Sequence, residues 1–443
     1  MKYLILVSTL MMLVACGGGG GSDSNSSPED NEPPQEETLL SRIVPARSSS
    51  PYSAVLAPCS TAYQDQQSCL VDVLPPLDIQ GQSVTVDDIM DRLVVSHPWM
   101  AERFEQALNA APNSLLQMFA PLTAIVISYD IIPAFYHPLT GAMYIDPRFV
   151  WTNASEYNTI ADKEDYRAGF SSDLSLDAFW RYVDEDGNSV TTSNTYSALN
   201  NNRTINQILP GLMNLLYHEL AHANDFVPPT RRTAIALPAG NTSFYDLIEQ
   251  TFNANEAIQQ QLDDQVPLIN NTLAALGQVL FAGNTATASQ RALSAADAGS
   301  QFSIDGANDM YNYSSDAEDV AMLFENAMMS HVLGAIRDVA FVNQPSIDEP
   351  GCNDFTIGWG ERGRLGQPWV ATRAKLVVSE ILPMQARDIN AHIDQLPPAT
   401  SLPVGLGWCN SRQVSALPFS VLRTIEPEQD HSVIEDFRGY RYH

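Results

Sequence analysis

His218-Glu219-Leu220-Ala221-His222 is the stretch of this chain whose residue types and spacing most directly specify chemistry. Two histidines four apart fall on one face of an α-helix, about one turn from each other, so both imidazoles reach one metal ion. The carboxylate following the first histidine lies beside the same point, where it can take a proton from water held by the ion. Two neutral nitrogen ligands and a nearby base are the parts that a hydrolytic metal centre needs.

The flanking residues predict the helix that must hold them. Asn206 and Pro210 suit a helix start, proline being tolerated in the first turn. Leu212, Leu215, Leu216, Leu220 and Ala223 form an apolar stripe, which Met213 and Tyr217 widen, so this helix should be buried. Val227-Pro228-Pro229 should end it, because the residue before a proline avoids the helical region. Polar groups in so apolar a helix need partners, and a metal supplies one to both imidazoles. Asp225 is placed either to orient a ligand imidazole from behind or to stand as a surface charge at the helix C-terminus.

A catalytic zinc ion usually has three protein ligands and one open position. A third histidine six residues after the second is excluded here, because that position holds Pro228. The alternative is an acid from a later helix, and the best segment runs from Tyr311 to Glu325. Ser314 or Ser315 suits an N-cap, and the acids that follow suit the positive end of the helix dipole. Val320, Leu323, Phe324, Ala327, Met328 and Val332 then recur at helical spacing. Glu318 sits near the start of this helix and can face the first one, with Asp316, Asp319 and Glu325 as competitors for the same role.

His-Glu-x-x-His followed by a helix reading Ser-x-x-Ala-Glu-Asp-x-Ala-x-x-x-Glu resembles the gluzincin metallopeptidases, in particular the anthrax lethal factor-like branch. The resemblance spans roughly Met118 to Leu333. It implies a zincin-like fold, Glu318 as third zinc ligand, and Tyr311 or Tyr313 as the hydroxyl that polarises the scissile carbonyl. The chemistry expected is attack of zinc-activated water on a peptide carbonyl, with Glu219 as general base. Zincins commonly bind substrate backbone along a sheet edge. Leu122–Ile132 and Ala134–Asp146 read as a hairpin around Pro138-Leu139-Thr140-Gly141, with Ala142–Asp146 as a strand near the site.

The N-terminus indicates location. Met1-Lys2 and the apolar run Tyr3–Leu13 read as a leader too short to span a membrane, and Leu13-Val14-Ala15-Cys16 resembles the bacterial lipobox, in which the cysteine is lipidated. Gly, Ser, Asn, Pro, Asp and Glu dominate the residues after Cys16, which predicts a tether with no core. Cys59, Cys69, Cys352 and Cys409 remain, an even number in an exported chain. The local pairings Cys59–Cys69 and Cys352–Cys409 are preferred.

A net charge of −29, with Lys2, Lys163 and Lys375 the only lysines, excludes nucleic-acid binding, which needs a basic face. Phe244–Val266 and Leu268–Ala282 read as inserted helices, helical sequence resumes over Ala371–Ile393, and the proline-rich segment from Pro397 is expected to wrap the domain. Trp359, Arg362 and Arg364 fit packing and surface roles better than a substrate cleft. The expectation is an α+β, mostly helical zincin-like domain with a small antiparallel sheet and a helical insertion over 240–305. Residues 1–15 would be the signal peptide, 16–50 the tether and 51–443 the catalytic domain, in one piece or two lobes. The protein would be a zinc peptidase acting on peptide or protein substrates, anchored by lipid in a Gram-negative cell envelope, with the outer membrane as its site. A cell-wall peptide amidase, or a binding lipoprotein with a structural or vestigial zinc site, is the alternative.

Overall fold

Short apolar runs bounded by turn residues build two separate sheets in the computed structural model, which describes residues 42–78, 83–163, 165–167, 169–197, 200–232 and 240–413. The leader, Cys16 and most of the proposed tether lie outside the described residues. The first sheet contains β1 (Val44–Pro45), β2 (Leu93–Val95), β3 (Ile125–Ile127), β4 (Phe135–His137) and β5 (Ala142–Ile145), in the order β1-β2-β3-β5-β4. The second contains β6 (Leu176–Val183), β7 (Ile336–Asn343), β8 (Thr356–Arg362) and β9 (Thr400–Ser401), antiparallel throughout. Helices of eight residues or more among the described residues are α1 (Pro98–Ala110), α2 (Ile205–Phe226), α3 (Phe244–Asn253), α4 (Ile258–Gln265), α5 (Asn271–Ala282), α6 (Ala295–Phe302), α7 (Asp316–Leu333), α8 (Pro368–Ile381) and α9 (Ala386–Ile393). The chain is α+β, and the insertion between the two site helices is helical, as the sequence predicts.

Three expectations are corrected. Leu122–Ile132 does not form a hairpin with Ala134–Asp146: β3 runs parallel to both β2 and β5. Both β3 and β5 are buried along their whole length, and strands covered on both faces are typical of parallel pairing. The hairpin lies inside the second segment, between β4 and β5, with Gly141 at φ +65° in its turn. Ala142–Ile145 is therefore internal, and the strand at that edge of the sheet is β4. The proposed tether also cannot extend to residue 50, since Val44 and Pro45 pair with Val95 and Val94 and Ile43 is buried. Finally, α2 starts neither at Asn206 nor at Pro210. Thr204 caps it in a reciprocal box with Gln207, and Pro210 lies inside the helix.

The largest core packs α2 against α7, with Leu212, Leu216, Leu220, Val320, Leu323, Phe324 and Ala327 all buried, and Tyr217 edge-on to Phe324 at 6.3 Å. Two disulfides close local loops as predicted, Cys59–Cys69 and Cys352–Cys409. Trp359, Arg362 and Arg364 have structural roles. Trp359 lies so close to Gly299 of α6 that a Cβ there would approach its ring to 2.1 Å. Arg362 pairs with Asp338 at 2.6 Å, and Arg364 donates to the carbonyls of Phe302, Asp305 and Ala307. No helix among the described residues is long and apolar enough to cross a membrane.

Candidate metal centre

The packing of α2 on α7 brings His218, His222 and Glu318 together. Spacing of four puts the two imidazoles one above the other on α2, with ring centroids 4.9 Å apart. Ser315 caps α7 by accepting the Glu318 amide at 3.2 Å, which fixes Glu318 in the first turn, facing α2. Glu318 Oε2 lies 3.0 Å from His218 Nε2 and 3.4 Å from His222 Nε2. Donor atoms about 2.0–2.1 Å from one tetrahedral ion sit about 3.3 Å from each other, so these separations suit a shared cation. The three residues offer ligand atoms that all lie within 4.8 Å of one another.

The electrostatics fit the same description. Burial opposes charge on His218, but Glu318 and Glu325 outweigh it and carry the imidazole up to about 10. Burial likewise opposes charge on Glu318, and the two imidazoles hold its carboxyl far below the usual range. A divalent cation would take the place of the imidazolium proton in this pairing, supplying positive charge between the same three atoms. Glu219 is different. Burial raises its pKa against the opposing pull of His218 and His222, and its Oε2 is buried with no hydrogen-bond partner. Such an oxygen is a costly feature for a residue with a purely structural task.

Of the competitors for third ligand, Asp316 is exposed, and Asp319 is engaged by Arg373 and Asn312. Glu325 lies behind the centre, its Oε2 3.3 Å from His218 Nδ1. A carboxylate there would orient the imidazole if His218 binds a metal through Nε2. Asp225 does not take that role for His222. Its carboxylate accepts from the Gln259 amide at 2.8 Å and the Gln259 side chain at 2.7 Å, while His222 Nδ1 has no hydrogen-bond partner. Nor is Asp225 a surface charge: it is fully buried, and burial raises its carboxyl to about 7.

The two candidate tyrosines separate cleanly. Tyr311 donates to Glu318 Oε1 at 3.3 Å and lies face-on to His218 at 6.2 Å, whereas the Tyr313 hydroxyl turns away to Asp305 at 2.9 Å. Sequence reasoning missed Arg167, which pairs with Asp165 at 2.6 Å and acts electrostatically on both Glu219 and Tyr311. It lies in a loop without periodicity, so no local pattern marks it. Comparison of the chain with protein-family models, curated proteins and solved structures finds no match among any of them.

Proposed function

We propose that this protein is a zinc-dependent peptidase of zincin type, anchored by lipid at a bacterial cell envelope. The observation that carries the reading is the convergence of His218 Nε2, His222 Nε2 and Glu318 Oε2 beside an unpartnered Glu219 carboxyl oxygen. His218, His222 and Glu318 would hold the ion, and Glu325 would orient His218. Bound zinc supplies Lewis acidity to the attacking water and to the substrate carbonyl. Glu219 takes the proton of the attacking water and delivers it to the leaving amine. Tyr311 turns its hydroxyl from Glu318 to the carbonyl oxygen as negative charge develops there. The edge strand β4 lies beside the end of α2, through Tyr136 stacked on Phe226 at 5.7 Å, and offers substrate backbone a pairing edge.

A structural or vestigial metal site would have no use for a buried base with a free oxygen, which favours catalysis over a binding role. The ligand assignment predicts that Glu318→Ala lowers zinc affinity, as loss of one of three ligands must, while Asp316→Ala leaves it unchanged. Competition with a zinc-binding dye measures both. Equal affinity in Glu318→Ala and the parent removes Glu318 from the site.

Anchoring rests on Leu13-Val14-Ala15-Cys16. Cys16→Ser should abolish palmitate labelling and move the protein from the membrane fraction to the soluble fraction, since stable attachment needs more than one acyl chain. Labelling that persists in Cys16→Ser rules the lipobox out.

A further inference from the structure

Behind the proposed zinc ligands lies a fully buried cation that neither the ligand set nor the proposed reaction uses. Arg337, on β7, is 2% exposed. Its Nη1 donates to Glu325 Oε1 at 2.8 Å and to the Tyr182 hydroxyl at 3.1 Å. Its Nε donates to Asp309 Oδ2 at 3.1 Å, and Nη2 stands 3.1 Å from the same carboxylate. The guanidinium lies over the Trp180 ring, 4.1 Å from its centroid, so it is held on its face and along its edge.

Each carboxylate held by Arg337 has a second task at the centre. Glu325 turns its other oxygen to His218 Nδ1 at 3.3 Å. Asp309 turns its other oxygen to the Tyr311 amide at 2.9 Å and so caps the 3₁₀ turn Met310–Tyr313 that presents Tyr311. We infer that Arg337 is a positioning residue that sets a metal ligand and the carbonyl-polarising hydroxyl together, through Glu325 on one side and Asp309 on the other. Stability alone does not call for the arrangement, since well-packed apolar residues often replace buried ion triads without loss. The role of Tyr311 in this inference rests on the peptidase reading, but the geometric clamp does not.

The test uses the full chain with 3-fluorotyrosine at position 311 and ¹⁵N-labelled histidine. Glu325→Gln leaves one acceptor oxygen where both His218 and Arg337 need one, so it should weaken zinc binding by about 10- to 100-fold and shift the His218 Nδ1 resonance. It should move the fluorine resonance less than Asp309→Asn does, since Tyr311 meets His218 only ring to ring. Asp309→Asn should do the reverse, moving the fluorine resonance and leaving zinc affinity alone. Arg337→Lys should disturb both ends, because an ammonium cannot replace a planar fork between two carboxylates. Glu325→Gln and Asp309→Asn are nearly isosteric, so they keep the test open if Arg337→Lys fails to fold. The clamp is overturned if Arg337→Lys leaves both resonances at their parent positions. It is also overturned if Glu325→Gln and Asp309→Asn each disturb both ends alike, which is general loosening. If the parent binds no zinc, the peptidase reading fails, and the resonances of the metal-free chain decide the clamp.

Discussion

Glu219→Gln should keep its metal and lose about 10²- to 10⁴-fold of its peptide hydrolysis, the range that general-base help typically supplies. The side chain is not among the proposed ligands, which are His218, His222 and Glu318. Glutamine has the same shape, so the helix and its packing should survive. What it lacks is a basic oxygen able to take a proton as water attacks. Substrate affinity should change little, because the base acts on the transition state rather than on bound substrate. Steady-state rates on a peptide library, with metal content measured on the same samples, check this. A variant that hydrolyses peptides at the parent rate removes Glu219 from the mechanism, whatever metal it binds.

Asp338→Ala should destabilise the protein by about 3–5 kcal/mol, the usual cost of removing one member of a buried charge pair. Asp338 lies on β7 and is 0% exposed. Its oxygens receive Arg181 Nε at 2.8 Å and Arg362 Nε at 2.6 Å, from the strands on either side. Alanine would leave two guanidinium groups facing each other across an empty position. Arg181 also donates to the Trp408 carbonyl at 2.6 Å, so the segment around Cys409 should loosen with it. Since domains are stable by about 5–15 kcal/mol, the loss should lower the urea midpoint clearly. A midpoint equal to that of the parent means that the strands, not the charges, hold the second sheet.

The parts of the site that were legible in the sequence are those carried by local spacing. His218, Glu219 and His222 share one helical turn, and the Ser315 cap places Glu318 at the head of α7; both are read from neighbours along the chain. The start of α2 carried a local signal as well. Thr204-x-x-Gln207 is a capping box, and it outweighs Pro210, which the helix accommodates in its interior. Other features had no local signal. A strand such as Ile125-Val126-Ile127 is apolar at every position, so its periodicity does not distinguish a hairpin arm from a buried parallel strand. Glu325 stands at His218 Nδ1 only because α7 packs across α2. Arg337 joins Glu325 to Asp309 only because β7 passes behind both. Asp225 reads either as a partner of a ligand imidazole or as a helix-end charge until α4 supplies the Gln259 amide that covers it.

The most direct test of the central claim is the zinc content of the purified full chain, measured by emission spectrometry after dialysis against metal-free buffer. The parent should retain about one zinc per chain, and the His218→Ala/His222→Ala double variant should retain none. A parent that holds no zinc even after exposure to it, or a double variant that holds as much as the parent, would contradict the assignment of this site.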